Sequence, residues 1–591
     1  MAALGRRRGL PLPKMLHLDS RFRGNDDFMR ASKKKKFKKQ APALLPSSDR
    51  SGYWTRYSTW GVMLLILLSV AVIRIRLLEA PFERDEGEYA YAGQLILQGV
   101  APYLEAYNMK LPGTYAAYAV IMALFGQTHG SVHFGLLLVN AATIIMMFLL
   151  AKRLFDARVG LAASASFALL SLSQSVQGVF ANAEHFVILP ALGGTLLLLK
   201  AIDSDGVPFH RKPFPLGHRL RFYFAGGALL GSAFIMKQHG IFFVGFGALY
   251  LLWDELKRRP IRPSRSLLKG LVFLVGAALP FASTCLALFM AGAFENFRFW
   301  TFQYAREYVS QIPLSAGFSI FKDQLSHVAG PAILLWGIAV IGGTALFWDK
   351  EARSRAVFVG GFFIFSFLAV CPGFFFREHY FILMLPAVSL LTGVAVGSIR
   401  NRMSIWKGAP ALVFTAALIY SFIQQKAFFF EMTPREASRT TYGVNPFPES
   451  LEIADYIKKK SAEGDRIAVL GSEPQIYFYS GRRSATGHIY TYGLMENQKY
   501  ARRMQEEMIQ EIEAARPLFL VFAAIPTSWL RRPESENLIF DWFGKYIQEG
   551  FDRVGVIDIL SADRTEYAWD AASAGYAPKS EYYLLVFKRK G

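Results

Sequence analysis

Cysteine is nearly absent: Cys285 and Cys371 are the only two among 591 residues. That excludes a disulfide framework and a cysteine-built zinc site. Both fall in apolar segments, where a thiol packs as a small hydrophobe. Histidine is sparse as well, and His129, His133 and His327 are scattered without metal-ligand spacing. No metal is therefore assigned and no cofactor expected, although the adjacent acids near position 85 could hold a divalent cation. Acidic residues are outnumbered, 45 against 66 Lys and Arg, for a formal net charge of +21. No nucleic-acid-binding motif accompanies that charge, so no nucleic-acid partner is expected. What the chain has in abundance is apolar: 53% hydrophobic, 15% aromatic, mean hydropathy +0.25. Runs such as Trp60 to Ile73 and Leu267 to Ala291 reach or approach the ~20 residues that cross a bilayer as a helix.

Apolar segments recur near 59–78, 111–126, 131–151, 159–176, 184–201, 222–236, 240–253, 268–292, 328–348, 355–371, 380–398 and 408–424. Lys and Arg favour cytoplasmic loops. The basic loops Lys152 to Arg158, Arg211 to Arg221, Lys257 to Arg265, Lys350 to Arg355 and Arg400 to Lys407 alternate regularly with loops of little net charge. Residues 1–58 form a basic, poorly patterned tail, expected to be disordered, cytoplasmic and close to anionic lipid. No secretory cleavage pattern follows it. The stretch His17 to Asp27 resembles a translated bacterial repeat element and points to Met29 as the true start. Charge parity fails if 111–126 crosses the membrane, and that segment is short and interrupted by Pro112 and Gly113. The expectation is therefore 11 spanning helices, with the N-terminus inside, the C-terminus outside, and 111–126 lying at the outer face. Gly226 to Gly231 reads as small residues for helix packing rather than as a phosphate loop.

On this map the outer loops and helix ends carry Asp85, Glu86, Glu88, Lys110, Asn182, Glu184, His185, Lys237, Arg377, His379 and Tyr380. Ionisable groups at a membrane are costly and mark function. Acids and bases from distant loops on one face imply a shared site. The set suits sugar transfer from a lipid phosphate. A phosphate leaving group needs cations rather than a general acid. The acceptor hydroxyl needs a carboxylate base. If 85–97 is helical, Asp85 and Glu88 share a face at i, i+3.

The segment PFERDEGEYAYAGQLILQGVAPYLEAYNMKLPGTYAAYAVIMALFG resembles the first outer loop of glycosyltransferase family 39, in the GT-C superfamily. That family includes protein O-mannosyltransferases and the aminoarabinose transferase of lipid A. VNAATIIMMFLLAKRLFDARVGLAASA, ANAEHFVILP, FIMKQHGIF and FFFREHYFILMLPA resemble, in order, its later helices and site elements. The resemblance covers about residues 59–430. It implies that Asp85 is the catalytic base, flanked by Glu86 and Glu88, and that Lys110 faces the donor phosphate. Lys237, Arg377 and His379 are candidates for the same charge. It makes Glu184, beside Asn182 and His185, the second acidic position, which holds the acceptor or orients a sugar hydroxyl, and gives Tyr380 an aromatic edge to the substrate. The chain departs from the family's Lys-Pro-Pro with Lys110-Leu111-Pro112, and from its Arg-Asp with Asn182-Ala183-Glu184.

From about 445 helices alternate with strands near 466–471, 518–522, 554–557 and 582–587, which argues for a small α/β domain. The expected architecture is a polytopic α-helical GT-C membrane protein of a bacterial inner membrane. It comprises tail 1–58, transmembrane domain 59–430 with first outer loop 79–130, and periplasmic α/β domain 431–591. The expected activity is an inverting glycosyltransferase. Its partners would be a polyprenyl-phosphate-linked sugar, a lipid, polysaccharide or protein acceptor, and the bilayer. A transporter or flippase of lipid-linked sugars is the alternative, but transporters place their polar groups near the midplane. A membrane-anchored sensor leaves the loop cluster unexplained.

Overall fold

A computed structural model describes residues 50–205, 216–258, 260 and 262–590. The basic tail up to 49, the start at Met29, and loop positions Arg211 and Lys212 lie outside the described residues. The first helix, Arg50–Arg76, begins earlier than 59. Five helical stretches are long and apolar enough to cross a membrane: Tyr57–Arg76, His129–Leu154, Ala183–Ser204, Pro263–Met290 and Leu314–Trp348. Gly113–Phe125, Ala157–Leu170, Ala356–Val370 and Ala409–Gln424 are shorter apolar helices. Leu216–Met236, Ile241–Lys257 and Leu385–Arg402 complete the bundle.

The helix Gly113–Phe125 has 13 residues and spans about 20 Å at 1.5 Å per residue. It lies against the ends of longer helices: Tyr118 Oη donates to Ala181 O at 2.7 Å, and Thr114 Oγ1 to Met236 O at 2.8 Å.

Two expected boundaries shift. The segment near 328–348 is preceded by the helix Leu314–Ala329, joined to Ile333–Trp348 through a 3₁₀ turn, Gly330–Ala332. Lys322, Asp323 and Gln324 obscure that extension in the sequence. The helix expected at 380–398 starts only at Leu385, with Pro386 in its first turn, where a missing N–H costs nothing. Glu378–Leu383 is instead a 3₁₀ turn, which brings Arg377 to Tyr380 to the helix ends.

The helices Leu216–Met236 and Pro263–Met290 approach closely. A Cβ on Gly227 or Gly231 would overlap the carbonyl oxygens of Phe273 and Ala277. Gly227→Val should therefore lower the stability of the detergent-solubilised protein by about 1–3 kcal/mol, read as a drop in thermal unfolding midpoint. An unchanged midpoint would refute this contact.

The C-terminal sheet has six strands: β1 Arg466–Leu470, β2 Arg483–Ser484, β3 Phe519–Ala524, β4 Phe551–Ile559, β5 Thr565–Trp569 and β6 Tyr583–Arg589. Their order is β2-β1-β3-β6-β4-β5. β1 pairs in parallel with β2 and β3, and the β3–β6, β6–β4 and β4–β5 pairs are antiparallel. Side chains alternate across the sheet. Ile467 and Val469 pack with Ile453, Ile457 and Ile476 on one face. Ala468 and Leu470 pack with Met504, Met508 and Ile512 on the other. The first face is continuous with the helix Arg84–Leu97, through Tyr89, Ala90, Tyr91 and Leu95. Gly87 meets Gln475 so closely that a Cβ would lie 2.7 Å from its backbone nitrogen. Domain and bundle are thus one packed body around the first outer loop.

Candidate active site

The helix Arg84–Leu97 begins with a capping box: Glu83 accepts from Glu86 N, and Glu86 accepts from Glu83 N. That start fixes the direction of the next turn. Asp85 and Glu88 emerge on one face, and both hold Lys110, at 2.9 and 2.7 Å from its Nζ. Tyr115 Oη donates to Glu88 at 2.6 Å. Lys110 Nζ also lies 4.5 Å from the centre of the Tyr89 ring.

Asp85, Lys110, Lys237, Arg377 and Tyr380 line a cleft at the helix ends. Lys237 pairs with Glu184 and sits 4.1 Å over the Tyr380 ring. Arg377 differs from both lysines. Among the described residues it has no carboxylate oxygen within 4 Å, whereas each lysine is paired with one.

Several residues read from the sequence lie elsewhere. Glu86 is fully buried and away from the cleft, accepting from His133 Nε2 at 2.8 Å and from the Ala181 amide. It ties the first outer loop to the 180s segment. Asn182 and His185 are buried between helices, with Asn182 Nδ2 and His185 Nε2 lacking a hydrogen-bond partner among the described residues. His379 turns its Nδ1 to Gln177 Oε1 at 3.0 Å, behind Tyr380. The acids of the first loop divide: Asp85 and Glu88 meet at Lys110, and Glu86 turns away to His133. Among the described residues no three His, Cys, Asp or Glu side chains gather as metal ligands.

Burial would raise the Asp85 pKa, but the Lys110 ammonium, with the Arg377 guanidinium adding to it, outweighs it and holds the carboxyl below its ordinary range. Burial wins at Glu88, whose pKa rises despite Lys110. Burial lowers His379 well below its usual value, with Lys237 adding to the effect, so that ring is neutral near pH 7. Two carboxyls that share one lysine are therefore shifted in opposite directions, Asp85 down and Glu88 up.

The sequence reading missed the groups that close the cleft. The loop after β2 brings in Tyr490, Tyr492 and Glu496. Tyr490 Oη donates to Asp85 Oδ1 at 2.9 Å. Arg84 anchors that loop, pairing with Glu473 at 2.6 Å and donating to Tyr492 Oη at 2.8 Å. From the other side Trp300, Tyr304 and Tyr308 enter from the segment Phe294 to Val309, which contains a π-helical turn, Phe299–Tyr304. Tyr304 Oη donates to Glu496 at 2.8 Å. The available signal was composition: both stretches are dense in aromatics, in FENFRFWTFQYAREYV and in HIYTYG. Tyr490→Phe removes one hydrogen bond to a charged acceptor, worth about 1.5–3 kcal/mol. It should change the activity that depends on Asp85 roughly tenfold or more, measured as kcat/KM with folding checked by thermal midpoint. An unchanged kcat/KM would show that the contact has no part in the chemistry.

Residues 110–283 match the family described as dolichyl-phosphate-mannose-protein mannosyltransferase. That stretch contains Lys110, Glu184 and Lys237 and begins after Asp85. No curated protein matches the sequence. Among solved structures, ArnT from Cupriavidus metallidurans bound to undecaprenyl phosphate superposes with a TM-score of 0.55 at 15% identity, covering 91% of this chain and 98% of that one. The same protein in its apo state gives 0.52 at 15% identity, again over 91% and 98%. Over nearly its whole length, the chain has the fold of the GT-C glycosyltransferase superfamily.

Proposed function

We propose that the protein is an inverting glycosyltransferase of a bacterial inner membrane. It moves a sugar from a polyprenyl-phosphate donor to an acceptor on the periplasmic side, where the C-terminal domain sits. The observation that carries this reading is a carboxylate, Asp85, held below its ordinary pKa range in a cleft with three cations. The matched family and the fold of ArnT, which was solved with undecaprenyl phosphate, support it.

In the proposed reaction Asp85 takes the proton of the acceptor hydroxyl. The acceptor oxygen forms its bond to the anomeric carbon as the bond from that carbon to the phosphate oxygen breaks. The electron pair leaves with the polyprenyl phosphate. Arg377 meets the growing phosphate charge, with Lys110 and Lys237 beside it. Asp85 also steadies the positive charge of an oxocarbenium-like transition state. Glu88, held by Lys110 and Tyr115, orients the lysine instead of serving as a second reacting carboxyl. One base and one displacement invert the anomeric centre. Glu184 keeps Lys237 in place from a buried position behind the cleft.

The test is transfer of radiolabel from polyprenyl-phosphate sugars to membrane acceptors by the purified protein. Transfer that stops in the Asp85→Asn variant is expected. Movement of intact donor across vesicles without transfer would favour a flippase. The pH dependence follows from the sign of the shift. A lowered pKa keeps Asp85 ionised at every pH above it, so base activity is lost only as pH falls well below the ordinary carboxylate range. Rates from about pH 5.5 to 8 should show no acid limb from Asp85. A limb that vanishes in a variant at Glu88 would give the titrating role to Glu88.

A further inference from the structure

A second cleft lies beside the first. Its polar lining consists mainly of amides and hydroxyls: Gln174, Gln177, Gln424, Gln425 and Thr440, with Glu378 its one carboxylate and no lysine or arginine. His327 is the one basic side chain of the lining, so a phosphate finds neither a lysine nor an arginine there. A neutral, hydroxyl-rich ligand finds groups that both donate and accept.

The lining is held in place. Gln425, 6% exposed, accepts from the Gln174 amide at 3.2 Å and donates to Ser421 O at 3.2 Å. Gln177 adopts a left-handed backbone, φ +55°, and its Oε1 accepts from His379 at 3.0 Å and Tyr442 at 3.4 Å. Its Nε2 donates to Glu378 at 3.5 Å, so both amides serve as fixed framework, and the exposed Gln424 and Thr440 are the groups left to meet a ligand.

The two clefts share a wall. Along the segment from 377 to 380, Arg377 and Tyr380 line the first cleft and Glu378 the second. A molecule bound in the second cleft lies one residue away from the cation assigned to the donor phosphate.

We propose that the second cleft binds the acceptor through a neutral, hydroxyl-rich glycan portion. The claim rests on the glycosyltransferase reading for the word acceptor, while the glycan site stands on its own lining.

The probe is a photoreactive octyl glucoside added to the full-length protein in nanodiscs, with crosslinks mapped by mass spectrometry. Binding of geranylgeranyl phosphate is measured in parallel. Crosslinks should fall on the peptides that carry Gln174 to Gln177 and Gln424 to Thr440. Thr440→Trp, at an exposed position, should cut labelling at least fivefold and leave geranylgeranyl phosphate binding unchanged. Gln424→Leu, also exposed, should weaken labelling in the same direction. Crosslinks elsewhere, or labelling indifferent to both substitutions, overturns the proposal. Labelling of the cleft by a protein that does not bind geranylgeranyl phosphate supports the glycan site and contradicts the donor reading.

Discussion

Asp85→Asn should lower sugar transfer by about 10²–10⁴-fold, the usual contribution of a positioned general base, with donor affinity nearly unchanged. The asparagine keeps the size of the side chain and an oxygen for Tyr490. It removes the negative charge and the ability to accept the acceptor's proton. Lys110 keeps its pair with Glu88, at 2.7 Å, so the helix start and the nearby loop remain anchored. The side chain of Asp85 is 18% exposed and that of Glu88 1%. Only Asp85 reaches the cleft, so Glu88→Gln should act through Lys110, with a smaller loss that includes donor affinity. The check is kcat and donor KM for both variants in one preparation. Equal losses in kcat would mean that the two carboxyls act as a pair.

Arg377→Ala should reduce kcat/KM by about 10²–10³-fold, the magnitude found when one donor to a developing charge is removed. Lys110 and Lys237 cannot replace it, since each already neutralises a carboxylate. Arg377→Lys restores charge without the bidentate fork and should recover only part of the loss. Binding of geranylgeranyl phosphate, measured against geranylgeraniol, separates charge recognition from lipid recognition. The wild type should prefer the phosphate strongly, and Arg377→Ala should lose most of that preference. A variant that still discriminates would move the phosphate site to one of the lysines.

The legible parts of the molecule are those encoded locally. Apolar runs of bilayer length, basic loops, and the alternation in β1 and β3 each depend on neighbours within about 20 residues. The i, i+3 geometry of Asp85 and Glu88 is of the same kind, because a helix start sets it. The boundary at Leu385 needed one further local fact, the position of Pro386. The aromatic walls were not legible, because their partners are remote: Tyr490 meets Asp85 across 405 positions. Nothing in HIYTYG names that partner; only the fold of the sheet onto the helix Arg84–Leu97 does. Glu86 shows the opposite limit. It sits in the acidic motif beside Asp85, yet successive helical residues point about 100° apart, and its carboxylate is used by His133 and Ala181. Proximity in sequence was no guide to a shared site there. Asn182 and His185 likewise flank Glu184, and the helix turns them into the bundle.

One measurement bears most directly on the central claim, that this cleft transfers a sugar from a lipid phosphate with Asp85 as its base. Purified wild-type and Asp85→Asn proteins are given radiolabelled polyprenyl-phosphate sugars together with membranes from a strain lacking the protein. The account predicts that label passes into an acceptor fraction, with release of polyprenyl phosphate, for the wild type alone, while both proteins bind the donor. Equal transfer by the two proteins would contradict it.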